Sequence, residues 1–497
     1  MSKDSGGSFE GRLVSGEAPI DGEVLTWDAA AGVWRPVMPS SNTLPPTTDF
    51  DVYIDGVSGS NTNTGLTKAD PLATIGGYYD RYGYEMASGA QVRVHLAGIG
   101  GADPWVSPVT AQTYDIDMIR FPMQRLIDNQ LVFRGPQNMV AATPAGGAPA
   151  TAALDVGLPS RVVDETNTPG AGWRTEILFT GAAPGWAVND FGPQSIGAFL
   201  RVTRAGVKRY WEIPIADNTA DSILVDTLNI VADLNGATDT AEIVVPGALI
   251  RGTTLYLGVQ RFLQVVGSGA IPLTNLTANM GCNFERLTLQ NVQQAGARGI
   301  SYDRVCFDGS VGTNEGLNAS GGSLFVVNCA GRGRGHTLTQ GAALLTMPDN
   351  ASRPDGALDP ALVTVIVTMM AREIELSQNA SARFSLPVSF YGGTAFGISV
   401  REGAYFTQGT ADYLGGDSHT TGGIGASEGG SAQIRAGAAP SRTTITGGGV
   451  DLSADGIGAV AYGAGGGQFE GAPYGGNLHN TTVAAGVPSG QMSRIYI

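Results

Sequence analysis

Hydrophobic and polar residues alternate over short runs along most of the chain, and glycine, asparagine, serine and aspartate separate these runs. Alternation with a period of two is typical of half-buried β-strands. Residues 91–96 are a clear example, because every second residue is apolar. The pattern also predicts a helix that begins at Asp70 and Pro71, which suit the N-cap and first helical positions, and ends near residue 84. An all-β protein is therefore expected.

The strands repeat from about residue 270. The segment 285–291 matches 303–309 at an offset of 18 residues, and another strand follows at 324–329. A repeat of about 20 residues with one or two short strands is typical of a solenoid. No Leu-x-x-Leu-x-Leu series is present, so leucine-rich repeats do not fit. We predict that 269–497 forms the body of a parallel β-helix with a glycine-rich C-terminal end.

Two further segments are predicted before this body. Residues 49–168 read as strand, loop, helix and strand, the order expected at the start of a right-handed solenoid, where the helix covers the open end of the stack. Within them, 136–168 is expected to be a long surface excursion. Residues 169–268 are predicted to form a small inserted antiparallel barrel or sandwich. Its five candidate strands are 176–179, 199–202, 210–213, 222–225 and 242–245.

Residues 1–48 are polar and rich in glycine and proline, with one apolar island at 24–34. The island predicts a β-hairpin, and a lone hairpin is unstable in water. We interpret it as an anchor that packs on a partner or on other copies of the chain, and the alternative is a hairpin folded back on its own body. The predicted anchor residues are Val24, Leu25, Trp27, Val33 and Trp34.

Composition narrows the possible functions. The 497 residues include 73 glycines, and only 15% of residues are charged. With 29 basic and 44 acidic residues the net charge is −15, which argues against a nucleic-acid surface. Cys282, Cys306 and Cys329 are too few for a disulfide framework, and their spacing of 24 and 23 residues, about one turn of the solenoid, suggests packing inside it. We expect no metal, no cofactor, no secretory signal and no membrane insertion, and synthesis in the cytoplasm of the host.

Three segments resemble phage virion proteins. Residues 22–36 resemble the short N-terminal attachment motif of tail fibre, spike and head fibre proteins. Residues 53–67, with Pro-Leu-Ala-Thr-Ile at 71–75, resemble the first turn of pectate-lyase-like right-handed β-helices. Residues 186–200 and 213–225 resemble an insert found in such phage proteins.

The resemblance implies a homotrimer located on a virion. It implies attachment through the N-terminus to tail, baseplate or capsid proteins, and contact with a glycan of the host surface. It does not specify a catalytic activity, because one fold supports many functions.

Acidic residues provide the candidates for catalysis. A glycosidase needs two carboxyl groups, and adjacent strands are about 4.8 Å apart. The 18-residue register aligns Glu285 with Asp303, and Asp308 follows nearby. The alternative is a solvated ladder of charges on the outer face.

Basic and aromatic residues provide the candidates for binding. Arg332, Arg334 and His336 lie in a Gly-Arg-Gly-Arg-Gly-His segment, which could bind an anion such as a uronate, a sialate or a phosphate. The alternative is a flexible glycine turn with solvated arginines. Trp186 and Trp211 could form a recognition surface on the insert, or they could belong to its core.

We therefore expect a structural virion fibre or spike protein, an adhesin that binds polysaccharide on the host surface. Two alternatives stay open. One is a polysaccharide depolymerase, either a hydrolase or a lyase. The other is a head fibre or decoration protein without a receptor role.

Overall fold

The computed structural model describes thirty-three segments of the chain. The segments are 8–9, 12–13, 24–28, 33–37, 49–82, 91–121, 130–143, 151–163, 174–180, 186–193, 195–204, 211–225, 227–228, 234–259, 281–295, 300–309, 316–327, 329–333, 336–340, 343–346, 365–366, 369–371, 374–384, 388–391, 396–408, 414–419, 422–436, 442–447, 450–454, 459–464, 468–471, 481–483 and 494–496.

The first part of the chain contains nine strands and one helix. They are β1 (Ser8–Phe9), β2 (Arg12–Leu13), β3 (Val24–Asp28), β4 (Val33–Val37), β5 (Phe50–Ile54), α1 (Ile75–Tyr82), β6 (Gln91–Leu96), β7 (Gln112–Asp115), β8 (Met118–Phe121) and β9 (Gln130–Arg134). Strands β3 and β4 pair antiparallel, with Trp27 opposite Trp34. The predicted hairpin is therefore confirmed at the level of the backbone.

Helix α1 begins later than predicted. Its N-cap is Thr74, whose Oγ1 accepts a hydrogen bond of 2.9 Å from the Gly77 amide. Asp70 has another role, since its carboxylate accepts hydrogen bonds of 2.8 and 2.6 Å from the Thr64 amide and hydroxyl. Ile75 and Tyr78 of the helix are buried in the core of the parallel sheets, and this packing holds the helix in place.

Replacement of Thr74 by alanine is expected to cost about 1 kcal/mol of helix stability, because one amide of the first turn loses its partner. Hydrogen exchange of the α1 amides measures this loss directly. Asp70→Asn is the matched control, and it should leave exchange in α1 unchanged. Faster exchange in Asp70→Asn than in Thr74→Ala would contradict this assignment of the cap.

Nine of the next ten strands form two antiparallel sheets. The ten strands are β10 (Val140–Ala141), β11 (Thr151–Ala153), β12 (Ser160–Val163), β13 (Arg174–Leu178), β14 (Phe199–Arg204), β15 (Trp211–Pro214), β16 (Asp217–Asn218), β17 (Ser222–Val225), β18 (Thr227–Leu228) and β19 (Asp239–Val245). One sheet has the order β10-β19-β14-β15, with β11 also on β19, and the other has the order β12-β13-β17-β16. Strand β18 belongs to neither of these two sheets. All five strands predicted for the insert are present.

The extent of this antiparallel unit, here called the insert, differs from the prediction. Its pairing starts at β10 and ends at β19, whereas the predicted boundaries were 169–268. Strands β10 to β12 lie within 136–168, which was expected to be a surface excursion. They join the insert because their residues pair with β13 and β19. Buried residues of both sheets, such as Ile223 and Leu200, form one core.

The remaining strands are short and evenly spaced. They are β20 (Ala248–Arg251), β21 (Leu255–Val259), β22 (Gly281–Glu285), β23 (Thr288–Gln290), β24 (Val292–Ala295), β25 (Ile300–Asp303), β26 (Cys306–Gly309), β27 (Leu317–Ser320), β28 (Ser323–Val327), β29 (Cys329–Gly333), β30 (His336–Thr339), β31 (Ala343–Thr346), β32 (Val365–Ile366), β33 (Met369–Ala371), β34 (Ile374–Leu376), β35 (Ser381–Phe384), β36 (Val388–Tyr391), β37 (Phe396–Val400), β38 (Tyr405–Gln408), β39 (Leu414–His419), β40 (Gly422–Ala426), β41 (Ser431–Ala436), β42 (Arg442–Gly447), β43 (Val450–Ala454), β44 (Ala459–Ala464), β45 (Gln468–Gly471), β46 (Thr481–Val483) and β47 (Arg494–Tyr496).

Three long parallel sheets organise these strands. The first sheet runs from β7 through β20, β23 and β26 to β45, the second from β8 to β46, and the third from β5 and β6 through β9, β22 and β25 to β47. Successive strands visit the three sheets in rotation, and only β32 departs from this by pairing antiparallel with β18. The described chain is therefore nearly all β, and its long parallel sheets are consistent with a fold of the β-helix-like class. No described helix is long and apolar enough to cross a membrane.

The predicted 18-residue register is confirmed where the repeat was recognised. Glu285 pairs with Asp303, and Leu289 pairs with Phe307. Inward residues of all three sheets form one continuous core. In the third sheet the rings of Phe133, Phe284 and Tyr302 stack, with centroids 5.6 Å apart at each step.

The insert packs on the outer face of the first sheet at β26 and β29. Phe199 and Val244 of the insert pack against Cys306 and Ala330 of β26 and β29. Gly197 lies so close that a Cβ atom there would be 3.1 Å from the Cys306 sulfur, and its φ of +65° favours glycine.

The three cysteines are free and buried, as their predicted packing role requires. The spacing from Cys306 to Cys329 is close to one turn of the repeat, since Cys306 pairs with Ala330. The spacing from Cys282 to Cys306 is not, since Cys282 lies in the third sheet and pairs with Ile300. Burial raises the pKa of the Cys306 thiol to about 12, so this group is not a nucleophile at neutral pH.

Candidate functional site

A row of outward side chains crosses the third sheet at its N-terminal end. The strand register places Tyr53 beside His95, His95 beside Arg134, Arg134 beside Glu285, and Glu285 beside Asp303. We call these five residues the outer row. Neighbouring strands are about 4.8 Å apart, so the row is about 19 Å long. In β5 and β6 buried residues alternate with the residues of the row, which fixes the direction of the side chains.

The first end of the outer row is aromatic. The Tyr53 ring stacks on His95 with a centroid distance of 4.9 Å and an interplanar angle of 13°. Trp105 approaches Tyr53 edge-on at 5.8 Å, and the Lys68 ammonium lies 5.8 Å from the centroid of the Trp105 ring. Lys68 also forms an ion pair of 2.6 Å with Asp103. The half-buried rings of Tyr53 and Trp105 thus form an aromatic surface bordered by charges.

Asp51 orients the histidine of the row. Its carboxylate accepts a hydrogen bond of 2.7 Å from the Arg93 Nε and lies 2.8 Å from the His95 Nε2. The hydrogen bond from Arg93 is the main reason that the pKa of Asp51 is lowered to about 2. Burial lowers the pKa of His95, so its imidazole is neutral at neutral pH.

The second end of the outer row is acidic. Glu285 accepts a hydrogen bond of 2.6 Å from the Arg134 Nε, and Asp303 accepts two, of 2.7 and 2.8 Å, from the Arg304 Nη1. The side chains of Glu285 and Asp303 are 13% and 14% exposed. The register thus brings together the two acids that the sequence singled out. Each of them is held by a guanidinium, whereas the proton donor of a glycosidase typically has an apolar environment.

Asp308, the third predicted acid, is not part of this row. It lies on the first sheet beneath the insert and is fully buried. It accepts hydrogen bonds of 3.0 Å from Gln290 and 2.5 Å from Arg332. These contacts make Asp308 part of the surface of the first sheet on which the insert packs.

The predicted anion-binding turn is not formed by Arg332 and His336. The side chain of His336 is 2% exposed and points into the core, in register with Leu317 and Ile374. Its ring packs edge-on against Phe307 at 5.3 Å, and among the described residues neither ring nitrogen has a hydrogen-bond partner. Arg334 lies outside the described residues.

Of the two roles that the sequence left open for the tryptophans of the insert, Trp186 has the second, a place in the core. Trp186 is buried in the core of the insert, edge-on to Phe179 and Phe191 at 5.2 Å each. For Trp211 the structure describes only the backbone, in β15. The side chains of the predicted anchor lie outside the described part of the structure. They are Val24, Leu25, Trp27, Val33 and Trp34.

The insert reaches the acidic end of the row through buried charges. Glu212 of β15 accepts a hydrogen bond of 3.0 Å from Arg201. Its other oxygen lies 3.4 Å from the Nε of Arg304 and 3.8 Å from the Nε of Arg286. The side chain of Glu212 is only 1% exposed, so this contact is shielded from solvent.

The sequence did not identify Tyr53, His95 and Arg134 as members of the outer row, nor Trp105 as a neighbour of it. Alternation in β5 and β6 could have placed Tyr53 and His95 on an outer face. The contact between Arg134 and Glu285 gave no such signal, because 151 positions and the whole insert separate these residues in sequence.

Among the described residues no group of three or more histidine, cysteine, aspartate or glutamate side chains could hold a metal ion.

No protein-family model matches this sequence, and no curated protein matches it. Solved structures show a distant similarity. A GH136 lacto-N-biosidase from Eubacterium ramulus has a TM-score of 0.24 at 8% identity, with 90% of this chain and 68% of that chain covered. The tailspike protein gp49 from Pseudomonas phage LKA1 has a TM-score of 0.22 at 11% identity, with 84% and 78% covered. The Gp54 tailspike of Acinetobacter baumannii bacteriophage AP22, in complex with a capsular saccharide of that bacterium, has a TM-score of 0.14 at 10% identity, with 80% and 68% covered.

Proposed function

We propose that this chain is an adhesive fibre or spike protein of a virion and that it binds polysaccharide of the host surface along the outer row. The observation that supports this most is the register of the row, which aligns aromatic and charged side chains over five adjacent strands. Binding sites for small polar ligands combine aromatic surface with a few placed polar groups. The row offers both over about 19 Å, enough for several sugar units.

The proposal includes the finer architecture. The three sheets close into a right-handed solenoid, three chains associate into a homotrimer, and the β3–β4 hairpin attaches the protein to a tail, baseplate or capsid protein of the particle. The hairpin supports this, because two strands alone need a partner for stability. Analytical ultracentrifugation tests the trimer, and a deletion of 1–37 tests the attachment by loss of the protein from assembled particles.

Removal of the aromatic end is expected to weaken glycan binding by about 10- to 100-fold, since each ring contact contributes about 0.5–1.5 kcal/mol. The variant is Tyr53→Ala with Trp105→Ala, and the measurement is binding to an array of bacterial surface oligosaccharides. Tyr256→Ala is the matched control, because this exposed tyrosine lies on the second sheet. Equal binding by both variants would contradict the assignment of the outer row.

A depolymerase is the second candidate, and one observation favours it. Glu285 and Asp303 occupy adjacent register positions, an arrangement compatible with a pair of catalytic carboxyl groups. Incubation of the protein with the polysaccharide that it binds decides between the two. Unchanged chain length supports an adhesin. Shortened chains, together with loss of cleavage in Glu285→Gln, would establish an enzyme and overturn the adhesin.

A further inference from the structure

The strongest unexplained feature of the molecule is the buried charge cluster where the insert meets the acidic end of the outer row. Glu212 of β15 faces three guanidinium groups, those of Arg201, Arg286 and Arg304. The side chains of Arg286 and Arg304 are 5% and 6% exposed. A buried carboxylate in this position stabilises groups that would otherwise repel each other.

The backbone places the two arginines at equivalent turns. Arg286 and Arg304 have φ values of +52° and +53°, in the left-handed region that residues other than glycine, asparagine and aspartate rarely adopt. The strand register places them at the same turn of adjacent repeats, since the Arg286 amide donates to the Asp303 carbonyl. Other turn residues, Gln340, Glu402 and Glu428 among them, have the same φ, so it marks the geometry of the turn. At these two turns both side chains lie within ion-pair distance of Glu212.

Arg304 connects the insert with the row. Its Nε lies 3.4 Å from a Glu212 oxygen, while its Nη1 donates to both oxygens of Asp303. The Arg304 Nε and the Glu212 oxygen form an ion pair without hydrogen-bond geometry. Because a guanidinium is planar and rigid, attraction of its Nε towards Glu212 also biases the direction of its Nη atoms. The orientation of Asp303 therefore depends on a residue of the insert.

We infer that Glu212 is a positioning residue for Asp303, and that the insert completes the acidic end of the binding face through Arg304. This inference rests on the proposed glycan binding by the outer row. It assigns the insert a role in ligand recognition that does not require its tryptophans to contact the ligand.

The test is a double-variant cycle with Glu212→Gln, Asp303→Asn and the combination of both. The probe is the oligosaccharide that binds wild type most tightly on the array. We expect each single variant to bind about tenfold more weakly, and the double variant to bind no more weakly than either one, because both changes remove the same arrangement. Glu212→Asp, which keeps the charge, should recover part of the affinity.

Glu242→Gln is the matched control. Glu242 also contacts Arg201, at 3.4 Å, but it is 32% exposed and belongs to the other side of that arginine. We expect wild-type affinity from it. Wild-type affinity in Glu212→Gln, or losses that add in the double variant, would overturn the inference.

Two measurements keep the outcome clear. If Glu212→Gln does not fold, Arg304→Lys replaces it as the test variant. Lysine keeps the positive charge but lacks the planar group that contacts both Glu212 and Asp303. Wild-type binding by Arg304→Lys would then overturn the inference. If wild type binds no glycan, the proposed function fails separately. The shifts in Tm of the same variants then test the coupling: non-additive shifts support it, and additive shifts overturn it.

Discussion

Replacement of Phe284 by alanine is expected to lower the free energy of unfolding by about 3–5 kcal/mol, the usual cost of removing a buried phenylalanine ring. Phe284 is fully buried and stacks between Phe133 and Tyr302. Alanine leaves a cavity between two rings that strand register holds at fixed heights, so the site cannot easily collapse. Because Phe284 precedes Glu285 on β22, we also expect weaker glycan binding. Chemical denaturation measures the first effect.

Phe325→Ala is the control for this prediction. Phe325 lies in the same sheet but is only partly buried, since its position in β28 pairs with the outward Ser301. Its loss should cost clearly less than that of Phe284. Equal costs for the two variants would mean that the stack of rings does not dominate the stability of this part of the core.

Acidification is expected to destabilise the protein through His336. Burial lowers the pKa of His336 from 6.5 to about 4. Above pH 6.5 the histidine is neutral in both states and has no effect on the balance. As the pH falls from 6.5 to 4, the unfolded chain takes up a proton that the folded chain does not, so stability decreases, by about 3 kcal/mol in all. Below pH 4 both states are protonated and the loss levels off.

The geometry around His336 agrees with this sign. It packs against Leu317, Ile374 and Phe307, and burial is the one resolved cause of its shift, with no resolved contribution from a charged neighbour among the described residues. His336→Leu should therefore remove most of the decrease in the free energy of unfolding between pH 6.5 and 4, as measured by urea unfolding at several pH values. Leu338→Met, at the next inward position of β30, should keep the wild-type pH dependence. An unchanged pH dependence in His336→Leu would show that another group is responsible.

Phe284 and His336 lie at different distances from the proposed binding face. The ring stack lies directly beneath Glu285 in the third sheet, whereas His336 lies in β30 of the second sheet. Binding assays at pH 7 should therefore respond to Phe284→Ala and not to His336→Leu. This difference separates effects on the outer row from general loss of stability.

Local patterns were enough to predict much of the repeat. The 18-residue match between β22–β23 and β25–β26 predicted that Glu285 pairs with Asp303, and the structure has this register. The reason is that Glu285 and Asp303 are separated by one full repeat of three strands, so sequence offset and spatial register coincide. Alternation of apolar residues likewise predicted β6, β14, β17 and the β3–β4 hairpin.

The sequence by itself determined that this chain forms short β-strands in a repeating order, because period-two alternation and turn residues act within a few positions. Only the tertiary structure decided the composition of the candidate site. It brought Arg134 to Glu285 across the insert, buried Asp308 and Trp186 in packed interfaces, and turned His336 inward. These outcomes depend on which surfaces cover one another, and the sequence pattern of a single strand does not contain that information.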